Sequence, residues 1–176
     1  MDPETEALRA IIVPLVEEMW DEFVRKSPDK AAAAKAAVRP EFCIGRSGWT
    51  KLTMALDNPS PVHHDRGNLA WSGVFELCSD DLEWGDHVIM DNDNVYMFKP
   101  RSGTLFLGPY KFTRHGNLAT AKGGRWICTA YVSIWTLCGG ARGTRSKCDL
   151  ILLSPQVVAV AGREDMPPRP GTPAQP

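Results

Sequence analysis

The sequence contains no Cys-x-x-Cys pair: its five cysteines, Cys43, Cys78, Cys128, Cys138 and Cys148, are odd in number and widely spaced. That pattern argues against a zinc cluster or a disulfide framework and for free thiols. An excess of either charge is also lacking, with 20 Lys and Arg against 21 Asp and Glu. So balanced a chain has no broad electrostatic footprint for a phosphate backbone. Its longest apolar runs fall far short of the roughly 20 residues that a membrane-spanning helix needs. The first residues, Met1-Asp-Pro-Glu-Thr-Glu, lack the basic stretch of a secretory leader. The expectation is a soluble intracellular protein with no membrane partner. No internal repeat is visible, and only four histidines are present, so their placement is informative.

At 176 residues the chain is about one domain long. Asp2 can cap a helix that begins at Pro3, with Glu4 and Glu6 near the positive end of its dipole. Ile11, Ile12, Leu15, Val16, Met19, Trp20 and Phe23 then recur at helical spacing. Pro14 falls inside this run and is expected to kink or restart it. An alanine-rich stretch from Lys30 to Val38, closed by Arg39-Pro40, predicts a second helix.

From Phe42 onward the texture changes to short runs of aromatic and β-branched residues between turn signals such as Asp57-Asn58-Pro59 and Asp91-Asn92-Asp93-Asn94. Strands are predicted near 48–56, 69–77, 86–90, 94–99, 103–108, 110–114 and 125–137. This spacing indicates a mainly β sandwich, jelly roll or barrel with helices packed on one sheet. The expected organisation is a single domain over 1–162, with a helical part at 3–38 and a β core at 42–153. The Pro-rich residues 163–176 have too little apolar content to pack and are expected to be a disordered tail.

The chemistry concentrates at His63-His64-Asp65. Side chains alternate along an extended chain, so His63 and Asp65 project from one face and His64 from the other. A second imidazole is supplied by His115, in Thr113-Arg114-His115-Gly116-Asn117 at the end of an apolar run. Two histidines and one carboxylate suit Fe(II) and leave coordination positions open for a co-substrate and O2. Beyond His115, Arg125 opens the strand Trp126-Ile-Cys-Thr-Ala-Tyr-Val-Ser-Ile-Trp135. Its guanidinium fork is the expected anchor for the far carboxylate of 2-oxoglutarate while the metal chelates the other end. His64 and His87 are read as solvent-facing residues or as supports behind the ligands, not as ligands.

The order His63-x-Asp65, Gly103-Thr-Leu-Phe-Leu-Gly108, His115-Gly116 and Gly123-x-Arg125 resembles the Fe(II)/2-oxoglutarate dioxygenase superfamily. The resemblance covers about residues 42–137 and implies a double-stranded β-helix, the jelly-roll or cupin-like fold. The longer form His63-x-Asp65-x-x-Asn68, preceded by Trp49-Thr-Lys-Leu-Thr-Met-Ala-Leu56, is similar to the TET/JBP branch with its algal and fungal members. That likeness implies oxidation of the methyl group of 5-methylcytosine or thymine in DNA, and nuclear localisation in a eukaryote. It also implies that Asn68 reads the polar edge of a flipped pyrimidine. Algal members imply ascorbate as an alternative to 2-oxoglutarate. The competing expectation is a prolyl-hydroxylase-like or small-molecule hydroxylase, which the balanced charge favours.

Overall fold

The computed structural model of the protein describes residues 2–137. The predicted end of the β core at 153, the tail 163–176, Cys138 and Cys148 lie outside the described residues.

Helix α1 spans Pro3–Lys26 and α2 spans Pro28–Ala36. Asp2 caps α1 as its sequence position requires, its Oδ1 accepting from the Glu4 and Thr5 amides at 3.0 and 3.3 Å. The helix does not restart at Pro14: α1 runs through it as one helix of 24 residues. The physical reason lies in the burial beyond the proline: Val16, Met19, Trp20 and Phe23 are all buried. At roughly 1.5–3 kcal/mol for each fully buried large side chain, this stripe outweighs the roughly 3 kcal/mol that an internal proline costs. The second helix starts two residues earlier than predicted, because Pro28 is well placed in a first turn where no amide partner is needed.

Ten strands follow: β1 Lys51–Leu56, β2 Ser60–His63, β3 Asn68–Cys78, β4 Glu83–Trp84 and β5 His87–Asp91. Then come β6 Asn94–Phe98, β7 Thr104–Gly108, β8 Arg114–Asn117, β9 Thr120–Lys122 and β10 Arg125–Ser133, with a short α3 at Ile134–Leu137. They form two four-stranded sheets, ordered β1-β10-β3-β7 and β2-β8-β5-β6, and a small β4-β9 pair. Every pairing is antiparallel. The chain passes back and forth between the two large sheets, which is the winding of a jelly roll, or double-stranded β-helix.

The strand predicted at 110–114 is displaced. Phe112 and Thr113 both donate to the Pro109 carbonyl, at 2.8 and 3.0 Å, so the chain turns there and β8 begins only at Arg114. Short β2, β4 and β9 were not predicted as strands; at four, two and three residues they carry too little alternation to read.

The first large sheet has two dissimilar faces. Its outer face meets the helices through Trp49 and Trp71, where Phe23 stacks on both rings at 5.9 and 5.6 Å and Trp20 meets Trp49 edge-on at 5.2 Å. Its inner face meets the second sheet through Val74, Phe106 and Ile127, against Ile89 and Phe98. The helices therefore brace the outside, and the space between the sheets is left for chemistry. Among the described residues Cys43, Cys78 and Cys128 are free thiols, and no helix is long and apolar enough to cross a membrane.

Candidate metal centre and the buried polar interior

Strands β2 and β8 run side by side, with His63 registered against His115. Gly116 permits this close approach, since a Cβ there would stand 2.7 Å from the Ser60 carbonyl oxygen. Asp65 follows two residues after β2, in a loop pinned by its own amide donating to the Tyr110 carbonyl at 3.0 Å. The ligand atoms of His63, Asp65 and His115 all lie within 4.8 Å of one another. His63 Nε2 is 3.3 Å and His115 Nε2 is 3.7 Å from Asp65 Oδ1.

The remaining atoms of the triad are held from behind. His63 Nδ1 lies 2.8 Å from the Pro61 carbonyl and His115 Nδ1 lies 3.1 Å from that of Thr113. A carbonyl oxygen only accepts, so each Nδ1 carries a proton, and Nε2, which faces Asp65, is the ring atom left to bind a metal. This is the tautomer a metal-ligating histidine needs. Burial is the main influence that pushes the His115 pKa down and keeps the ring neutral, against the opposing pull of the Thr113 carbonyl and Asp65.

Asn68 is buried. Its Nδ2 donates to Asp65 Oδ2 at 2.8 Å and to Ser72 Oγ at 3.2 Å. The amide thus holds one carboxylate oxygen while the other faces the histidines, a role the sequence did not suggest. His64 is half-buried and outside the triad. His87 is not at the solvent: it is 1% exposed, between Asn117 Oδ1 at 2.9 Å and the Tyr110 hydroxyl at 3.2 Å. Burial pushes its pKa down to about 4, with the Asn117 contact opposing. A neutral ring fits both neighbours, donating from Nδ1 to Asn117 and accepting at Nε2 from Tyr110. The Tyr110 ring in turn packs 4.4 Å from that of His115, so the polar interior runs on from the triad through Tyr110 to His87.

Arg125 opens β10 and is fully buried. Its Nη1 donates to the Gly85 carbonyl. Gly85 sits at φ +85°, and a Cβ there would meet Thr120 Cγ2 at 2.9 Å, so glycine is what lets this carbonyl reach the guanidinium. Glu76, on the neighbouring β3, is also fully buried, with Oε1 4.0 Å from Arg125 Nη1. Neither Glu76 oxygen has a hydrogen-bond partner, and neither do Arg125 Nε and Nη2. Burial pushes the Glu76 pKa up to about 7, with Arg125 pulling it back.

Sequence reasoning overlooked Glu76. The signal was a lone carboxylate in the apolar run Asn68-Leu-Ala-Trp-Ser-Gly-Val-Phe-Glu-Leu-Cys78, in alternate register with Ser72 and Val74. A charge at an inward position of such a strand needs a partner, and Arg125 is the one β10 brings to it.

No protein-family model matches the chain, and no curated protein does. Among solved structures it is similar to an oxidoreductase of the 2OG-Fe(II) oxygenase family from Burkholderia pseudomallei, at 18% identity with a TM-score of 0.43. The match covers 48% of this chain and 44% of that one. By its own topology, the protein is a double-stranded β-helix that gathers two imidazoles and one carboxylate where β2 meets β8.

Proposed function

We propose that the protein is a non-haem Fe(II) dioxygenase that uses 2-oxoglutarate and O2 and oxidises the methyl group of 5-methylcytosine, or of thymine, in DNA. The observation that carries the oxygenase part is the donor set: two Nε2 atoms and one carboxylate within 4.8 Å, each oriented by a hydrogen bond from behind. That set fits Fe(II) and leaves positions for exogenous ligands. The orphaned Nε and Nη2 of Arg125 fit a carboxylate, which would meet both in a fork.

Fe(II) bound at this site supplies O2 activation, with 2-oxoglutarate as the electron source, and so the means to break an unactivated C–H bond. The chain's own residues do the rest. His63 and His115 bind as neutral rings, and Asp65 contributes the compensating negative charge. Asn68 keeps Asp65 from rotating away. Arg125 fixes the far carboxylate of the co-substrate, while Val74, Phe106 and Ile127 wall the interior against water.

Support for a DNA base as substrate is the pattern His63-x-Asp65-x-x-Asn68 and its likeness to the TET/JBP branch. In this reading Asn68 uses Nδ2 to hold Asp65 and offers Oδ1 to the amino edge of a flipped base. A prolyl-hydroxylase-like or small-molecule hydroxylase is the second reading, favoured by the balance of 20 basic against 21 acidic residues. Ascorbate is the alternative co-substrate.

The deciding experiment loads the protein anaerobically with Fe(II), adds 2-oxoglutarate or ascorbate and then O2, and follows the products by mass spectrometry. Oxidised methylpyrimidine in methylated DNA is the expected result. A hydroxylated peptide or amino acid with no DNA product replaces the substrate assignment, and turnover with ascorbate alone replaces the co-substrate.

A further inference from the structure

Glu76 shares the buried site of Arg125 and changes its charge count. Arg125 and Glu76 are both fully buried on adjacent strands, and four of their polar atoms have no partner. So many unpaired buried polar atoms around one ion pair mark a place that a ligand completes. The pair is already neutral, so a ligand carboxylate entering it would leave one uncompensated negative charge in a site sealed from water.

We propose that Glu76 makes co-substrate binding proton-coupled: the far carboxylate of 2-oxoglutarate binds the unpaired Nε and Nη2 edge of Arg125, beside Glu76, only as Glu76 takes up one proton from solvent. The neutral acid then donates its O–H to the ligand carboxylate, while Arg125 donates from Nε and Nη2. Every orphaned donor is satisfied, and the net charge of the site stays at zero. The inference rests on the 2-oxoglutarate reading of Arg125 given above.

The surroundings leave Glu76 as the group that takes the proton. Arg125 faces it from β10, and an arginine side chain has no proton to give up in this range. Tyr110, from the turn after β7, is fully buried, and burial together with Glu76 and Asp65 drives its pKa further up, so it stays neutral. His87, from β5, is held neutral by burial, with Arg125 among the groups disfavouring its cation. Cys78, two residues along β3, has its thiol pKa raised by burial and by Glu76. Burial likewise places the Glu76 pKa at about 7, so the proton is available near neutrality.

The test is isothermal titration of the full chain, loaded anaerobically with Mn(II), with 2-oxoglutarate in buffers of differing ionisation enthalpy and across pH. Pyruvate serves as the control, because it keeps the metal-chelating 2-oxo acid and lacks the far carboxylate. At pH 8.5, 2-oxoglutarate should bind with uptake of one proton, and its Kd should rise about thirtyfold between pH 6 and pH 8.5. Pyruvate should bind without that uptake. Glu76→Gln, a neutral isostere, should flatten the pH dependence and bind more tightly than the parent at pH 8.5. If 2-oxoglutarate binds with no proton uptake and a flat pH profile, the coupling is wrong and the co-substrate reading stands. Uptake that persists in Glu76→Gln, or that pyruvate shares, moves the proton elsewhere and overturns the role of Glu76. If the parent binds 2-oxoglutarate at no pH, the co-substrate reading fails and the coupling falls with it.

Discussion

Removing the Glu76 charge should change how stability depends on pH, even with no metal or co-substrate present. An exposed glutamate titrates near 4.5, and burial in the folded chain raises Glu76 to about 7. Between those values the native state holds a proton that the unfolded state has released. Stability contributed by Glu76 is therefore fully present below pH 4.5 and lost as pH rises through 7. The gap between the two values corresponds to about 3 kcal/mol. His87 acts in the opposite sense, because burial lowers it from 6.5 to about 4, so its contribution is lost as pH falls through that window. In the parent the two slopes nearly cancel between pH 4.5 and 6.5. Glu76→Gln removes one of them, so the variant should gain on the parent by about 3 kcal/mol from pH 4.5 to pH 7. Urea unfolding of both proteins at a series of fixed pH values, with a chelator present, measures this directly. Two stability curves that stay parallel across the range would show that Glu76 titrates as an exposed carboxylate and is not sealed against Arg125.

Three further outcomes bear on the site. His63→Ala, Asp65→Ala and His115→Ala should each abolish stoichiometric Fe(II) binding in an anaerobic titration, because three donors leave no spare protein ligand; two variants that keep full stoichiometry would dismiss the triad. Asn68→Ala should weaken Fe(II) binding by about 10- to 100-fold through the freed Asp65 carboxylate, whereas an unchanged metal affinity with impaired DNA oxidation would make Asn68 a reader of the base alone. Arg125→Lys should raise the apparent KM for 2-oxoglutarate and leave Fe(II) affinity intact, since lysine cannot reproduce the two-pronged donor; an unchanged KM would move the anchor to another residue.

Much of this architecture can be read from the chain, and the misreadings have physical causes. Helix α1 is legible from its cap and its buried stripe, and a restart at Pro14 is the wrong reading because a local penalty is weighed without the tertiary packing that offsets it. The long strands β3, β7 and β10 are legible because their alternation or apolar length exceeds what a loop would carry. Strands β2, β4 and β9 are set by what they pair with, as Ser60 with Asn117 and Glu83 with Lys122, and pairing across more than thirty residues of chain leaves no mark in a window of four.

The same division between local and non-local signals runs through the site. His63 and Asp65 can be read together because they stand two residues apart, although Asp65 is placed by the loop after β2 and its amide bond to the Tyr110 carbonyl rather than by strand alternation. His115 follows from the need for a third donor, and the register of β2 on β8 meets that need. Asn68 was singled out in the sequence as a base reader, and its bond to Asp65 was not legible there, because that bond depends on how the loop after β2 folds back beneath Tyr110. Glu76 needed the most non-local information, since its meaning depends on Arg125, to which only the pairing of β3 with β10 brings it. Yet an unshielded carboxylate inside a strand is costly enough that its presence in an apolar run demands a partner. Searching inward strand positions for charge finds Glu76 and Arg125 as a pair, where searching for motifs finds the arginine alone.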